Sequence, residues 1–158
     1  MSRARLAVRT RSPEQTRALG AALGAVAEGG DAFLIEGQFG VGKTVLVQGL
    51  AAGLGVEEPI TSPSFVLMVE HRGRVRLLHV DLYRLDGRLD VEMLDALNDA
   101  RDSDTVCAVE WPEALPADLR AGTTVVSMVA LDDTTREITV ASPSERLLAA
   151  ARGALEGS

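Results

Sequence analysis

Gly37-Gln38-Phe39-Gly40-Val41-Gly42-Lys43-Thr44 gathers three glycines, one ammonium and one hydroxyl into eight consecutive residues. Glycine tolerates backbone angles, and a close backbone approach, that a β-carbon would block. Successive N–H groups in such a turn, followed by a helix N-terminus, form a concave site for an anion. The spacing Gly-x-x-x-x-Gly-Lys-Thr fits the Walker A pattern, in which the lysine reaches the β- and γ-phosphates and the hydroxyl binds Mg²⁺. Of the sixteen lysine-plus-arginine positions in the chain, only one is lysine, and it is Lys43. The chemistry implied is nucleoside triphosphate binding, with Gly37, Gln38, Phe39, Gly40, Val41, Gly42, Lys43, Thr44 and Val45 as the candidate nucleotide-binding residues.

Phosphoryl transfer at such a loop needs acids to hold the metal and orient the attacking water. Two apolar runs end in one. "LLHVD" terminates at Asp81 and "VCAVE" at Glu110. Glu110 is assigned to Mg²⁺, directly or through water, and Asp81 to the attacking water or to water held on the metal; the two roles are interchangeable at this level. Asp81, Glu110 and Lys43 form the candidate catalytic set, and Thr44, Glu110 and Asp81 the metal set. "TSPSF" (residues 61–65) offers Ser62 and Ser64 as hydroxyls for the γ-phosphate, or else serves as a capping loop. His79 reads as a strand residue rather than a catalytic one.

Alternating strands and helices must position these groups. "LAVRT" (residues 6–10) has strand alternation. Ser12, Pro13 and Gln15 form a helix-start signature, Leu19, Ala22, Leu23 and Val26 give that helix a core stripe, and Gly29-Gly30 ends it. "AFLIE" (32–36) reads as a buried strand leading into the loop. Residues 43–53 read as a helix, with Leu46, Leu50 and Leu54 on one side. Residues 64–71 and 75–83 read as a hairpin turning at "RGR", "DVEMLDALNDARD" as a polar helix, and residues 105–110 as a strand. "TTVVSMVAL" and "TREITVAS" turn at Asp132-Asp133, and a last helix opens with Ser142 as N-cap, then Pro143 and Glu145. The fold expected is α/β: a P-loop NTPase-like three-layer domain over residues 1–158, with a mostly parallel central sheet plus antiparallel strands. In such sheets ligands sit at the carboxyl ends of the strands.

Composition narrows the options. The 158 residues suffice for a substantial core, and 46% of them are hydrophobic. No apolar run reaches the roughly 18–20 residues needed to span a bilayer. The basic N-terminus lacks the apolar stretch of a secretion signal, so a cytoplasmic location is expected. The net charge of −7 argues against a direct, phosphate-driven hold on nucleic acid. Cys107, the single cysteine, reads as core filler. Of five aromatic residues, Phe39, Phe65, Tyr83 and Trp111 fall in or beside the motifs, whereas Phe33 reads as core. Such clustering suggests a protein-binding rim.

Together "GQFGVGKT", "TSPSFVLMVEH", "LLHVDLYRL" and "VEWPE" resemble the TsaE family, the small bacterial P-loop ATPases of tRNA threonylcarbamoyladenosine (t6A) formation. The resemblance runs from "SPEQTRALGAALG" through Glu113 with the motifs in order. It implies ATP and Mg²⁺ as cofactors, with Lys43, Thr44, Asp81 and Glu110 at the family's site positions. It implies association with the TsaB–TsaD pair, contact with tRNA only through those partners, and no transfer of the threonylcarbamoyl group by this chain itself. It also places adenine between the N-terminal segment and the late hairpin, where Arg136 is the candidate contact. Gln38 and Phe39 stand where the family usually has aspartate and leucine, Val41 where alanine is common, Ser64 for threonine, and Val45 for a second threonine.

Three rivals remain open. A small-molecule kinase would need a second pocket and arginines over the phosphates; "HRGRVR" is short for a lid, although Arg84 and Arg88 are available. A regulatory GTPase normally uses an Asn-Lys-x-Asp element, and the only lysine is committed to the loop. A non-catalytic, nucleotide-gated interaction module would keep the loop without turnover.

Overall fold

The structure, a computed structural model, describes residues 2–61, 68–83 and 89–155. Seven strands form one sheet: β1 (Ala4–Thr10), β2 (Ala32–Glu36), β3 (Met68–His71), β4 (Arg76–Asp81), β5 (Thr105–Glu110), β6 (Thr124–Ala130) and β7 (Arg136–Ser142), in the order β1-β7-β6-β2-β5-β4-β3. The centre β6-β2-β5-β4 is parallel. Its flanks, β7 on β6, β1 on β7 and β3 on β4, are antiparallel. This meets the α/β expectation, including the hairpin across residues 72–74.

Strand alternation decides which helices cover which face. On β2, Phe33 and Ile35 join α1 (Pro13–Val26), α2 (Lys43–Gly53) and α5 (Glu145–Gly153) in one core. Leu34 points the other way, to a second core with Leu97 and Ala100 of α3 (Val91–Arg101) and Leu119 of the short α4 (Ala117–Arg120). A central strand buried on both faces needs apolar residues at every position, which is what "AFLI" supplies. The three layers follow.

The α1–α2 crossing is close enough for backbones to touch. A β-carbon at Gly49 would lie 2.0 Å from the Arg17 carbonyl oxygen, and one at Gly24 would lie 2.2 Å from that of Leu50. Arg74, from the segment considered for a lid, instead donates to the Gly24, Ala25 and Ala27 carbonyls at the end of α1. It caps a helix rather than covering a substrate.

Several boundaries differ from expectation. The α1 start is as read, with the Ser12 hydroxyl accepting from Gln15 N–H and Pro13 in the first turn, but the Gln15 side chain accepts from Arg11 N–H rather than from the cap residue. That helix ends at Val26, with Ala27 as its cap, ahead of Gly29-Gly30. The N-cap of α5 is Ser144, whose hydroxyl accepts from Leu147 N–H; Ser142 is the last residue of β7, and its hydroxyl accepts from Ser144 N–H. Two serines flank Pro143, and pairing of β7 through Ser142 with β1 decides between them. The 3₁₀ turn over Pro112–Ala114 and α4 carry too little periodicity to be read from sequence.

Candidate functional site

β2 ends at Glu36 and α2 begins at Lys43, so the glycine loop is the short link between a buried strand and a helix. Gly40 and Gly42 have φ of 75° and 110°, a region L-residues seldom adopt. A β-carbon on Gly37 would come 2.7 Å from Val41 Cγ1 and 2.9 Å from the Met128 carbonyl oxygen. The N-termini of α1, α3 and α5 are capped by Ser12, Asp90 and Ser144, whereas no side chain caps α2. An uncapped helix start leaves its first amides available to an anion.

Phe39, Gly40, Gly42, Lys43, Thr44, Val45, Asp81, Glu110 and Trp111 line a cavity of about 330 Å³. The parallel register sets Asp81 of β4 beside Glu110 of β5, at the carboxyl ends of both strands. Both acids and Lys43 are buried. The structure therefore brings together the lysine, the hydroxyl and both acids named from sequence. The Thr44 hydroxyl lies 3.5 and 3.4 Å from the two Glu110 carboxylate oxygens, and Asp81 Oδ1 accepts from Tyr83 N–H at 3.0 Å. The Lys43 ammonium donates to the Gly37 and Gln38 carbonyls at 2.6 and 2.9 Å. Burial lowers its pKa below the ordinary lysine value, against the opposing pull of Glu110, Asp81 and Glu113.

One feature escaped the sequence reading, and a second was read there only in outline. His79, fully buried, lies 2.6 Å through Nε2 from Glu110 Oε2. It sits two residues before Asp81 on the same strand face, a relation visible in "HVD", but its bond to Glu110 depends on how β4 registers with β5. The second is an aromatic cluster in which Phe39, Tyr83 and Trp111 have ring centroids 4.5–5.0 Å apart. Phe39 and Tyr83 are exposed, which agrees with a rim beside the loop, and Phe33 is buried as read. Trp111 has φ 57° and ψ 59°, the one positive φ outside glycine among the described residues, and its ring lies 4.1 Å from Lys43 Nζ.

On the far side of the loop, Ser12, Pro13, Thr16, Gly40, Val41, Gly42, Val45, Asp133, Thr134 and Arg136 line a second cavity of about 260 Å³. Arg136 Nε donates to the Val41 carbonyl at 2.8 Å, which ties β7 to the loop. Ser64, together with Arg84 and Arg88, lies outside the described residues.

The donor set fits the groups implied by the motif. Hydroxyl and carboxylate oxygens suit a hard cation such as Mg²⁺, and an uncapped helix start with a lysine suits phosphate. Among the described residues no group of three His, Cys, Asp or Glu side chains could hold a metal by itself. Mg²⁺ commonly binds through one or two carboxylates plus substrate phosphates, so nucleotide and metal would occupy the cavity together.

The family profile described as "Threonylcarbamoyl adenosine biosynthesis protein TsaE" matches residues 10–143. The chain belongs to the TsaE family. It is 39% identical over 132 residues to the tRNA threonylcarbamoyladenosine biosynthesis protein TsaE of Treponema pallidum, covering 84% of this chain and 97% of that protein. The TsaE of Nostoc sp. is 42% identical over 106 residues, 65% of each chain, and that of Bacillus subtilis is 32% identical over 139 residues, 87% of this chain and 86% of the relative. The crystal structure of Bacillus subtilis YdiB superposes with a TM-score of 0.78 at 27% identity, covering 98% of this chain and 96% of that one. The likeness to that structure agrees with the α/β fold described above. Among the described residues no helix is long and apolar enough to cross a membrane.

Proposed function

We propose that this chain is a Mg²⁺-dependent ATPase subunit serving t6A formation on tRNA, in the cytoplasm and in association with TsaB–TsaD, with tRNA contacted through those partners. The observation that carries the reading is the single cavity in which Lys43, Thr44, Asp81 and Glu110 converge below the glycine loop and the uncapped start of α2. The family's role supports the pathway, and the net charge of −7 supports indirect contact with tRNA.

Bound Mg²⁺ would balance phosphate charge. The Thr44 hydroxyl and Glu110 would hold it, and Asp81 would orient the attacking water. The backbone from Gly37 to Gly42 would wrap the phosphates, and Phe39, Trp111 and Tyr83 would restrict water at the cavity mouth. On binding, Lys43 would exchange the Gly37 and Gln38 carbonyls for phosphate oxygens. Adenine would enter the cavity that Arg136, Val45 and Thr16 help to line.

The test is a pull-down of TsaB and TsaD by this chain with and without Mg·ATP, alongside phosphate release. Nucleotide-dependent capture with turnover supports the proposal. Capture without turnover favours the nucleotide-gated module, phosphate transfer to a small acceptor favours the kinase, and a calorimetric preference for GTP over ATP contradicts the reading.

A further inference from the structure

We infer that His79 is a positioning residue that fixes the Glu110 carboxylate toward Thr44, so that the magnesium-dependent part of nucleotide binding rests on an imidazole that never meets the nucleotide. The inference deepens the proposed function and rests on it.

Alternation along β4 places His79 and Asp81 on the face where Leu77 joins the α1–α2 core. Alternation along β5 places Glu110 on the same face as Val106 and Ala108. His79 registers opposite Ala108 and Asp81 opposite Glu110, so the imidazole lies one pleat deeper than the two acids. His79 is 0% exposed and Glu110 3%. The imidazole therefore has no route to a ligand in the cavity, whereas Glu110 lines it.

A buried carboxylate must be compensated by hydrogen bonds. The shortest side-chain contact on Glu110 is the 2.6 Å one to His79, through which Nε2–H donates to Oε2. The Thr44 hydroxyl, at 3.4–3.5 Å from both oxygens, holds it only weakly. One short bond from beneath restrains a flexible side chain and keeps both of its oxygens near Thr44. Partners of this kind orient a metal-binding carboxylate without touching the metal.

A core-filling role explains His79 less well. Its Nδ1 is buried with no hydrogen-bond partner among the described residues, a cost an apolar side chain would avoid. Leu77, two residues earlier on the same face of the strand, shows that leucine packs against that core. The Nε2 bond to Glu110 is the compensating gain.

The test measures binding of adenylyl-imidodiphosphate by calorimetry, in Mg²⁺ and in EDTA, for wild type, His79→Leu and His79→Gln. The expected result is a loss of about 10- to 100-fold in affinity for His79→Leu in Mg²⁺, with affinity in EDTA within about twofold of wild type. His79→Gln, whose amide can reach Glu110, should recover most of the loss. An intact Mg²⁺ increment in His79→Leu, or an equal loss with and without Mg²⁺, overturns the inference while leaving the proposed function standing. A wild-type chain that binds no nucleotide in either condition sinks both. Should His79→Leu fail to fold, His79→Gln and His79→Asn decide, since the asparagine amide is one methylene short; equal increments in the two overturn the inference.

Discussion

The Lys43 ammonium lies 4.1 Å from the centre of the Trp111 ring, which a left-handed backbone at Trp111 holds in place. A bulky residue in that region carries strain of about 1–2 kcal/mol. Trp111→Gly removes the ring and the strain together, whereas Trp111→Ala removes the ring alone. The glycine variant should be more stable than the alanine variant by about 1 kcal/mol in urea denaturation. Both should lose the cation–π contact to Lys43. An alanine variant as stable as the glycine one would mean that the conformation is not strained.

The two acids should separate from the lysine in kinetics. Under the proposed function Lys43 would meet phosphate in the bound ground state, so Lys43→Ala should mainly weaken ATP binding. Under the proposed function Asp81 and Glu110 would act on the water and metal of the reacting complex, so Glu110→Ala and Asp81→Ala should each lower hydrolysis by on the order of 10²-fold or more. Steady-state phosphate release paired with calorimetric binding reads both quantities. Near-wild-type hydrolysis in both acid variants would remove the assignment.

Legibility followed the range of the interaction. The loop from Gly37 to Thr44 was readable because its chemistry is contiguous in the chain, and β2, α2 and β5 have the boundaries their patterns predict. Asp81 and Glu110 were readable because each ends an apolar strand. The tie between His79 and Glu110 was not, since it requires β4 to pair with β5 in one register across a helix. Phe39, Tyr83 and Trp111 were legible as clustering beside the motifs, but their ring contacts, made from three separate loops, were not. The choice of Ser144 over Ser142 as the α5 cap turned on how far β7 continues, which its pairing with β1 decides. The glycines of α1 and α2 broke the apolar stripe and gave no core signal, yet they set how closely the helices cross.

Gly49 and Gly153 should respond oppositely to alanine. At Gly49 the new β-carbon meets the Arg17 carbonyl oxygen at 2.0 Å and the Ala21 nitrogen at 3.0 Å, both backbone. Helix α1 would have to move away, at about 1–3 kcal/mol, and α2 would shift with the loop at its start. Gly49→Ala should therefore lower the Tm and weaken nucleotide binding. At Gly153 nothing lies within 4 Å of the added methyl, so Gly153→Ala should stabilise by up to about 1 kcal/mol. Thermal denaturation of the two variants checks both signs.

Cys107 should make stability fall at alkaline pH. Burial raises its thiol pKa from 9.0 to about 11, against a weaker opposing pull from Arg101. Below pH 9.0 the thiol is protonated in both states and adds no pH dependence to stability. Above pH 9.0 the unfolded chain gains by ionising while the folded chain does not, so stability should drop until about pH 11. The slope attributable to this residue is at most about 1.4 kcal/mol per pH unit. Urea denaturation of wild type and Cys107→Ala across that window isolates it from Tyr83 and Lys43, which both proteins retain. Parallel curves for the two proteins would mean that the thiol ionises as readily in the fold as outside it.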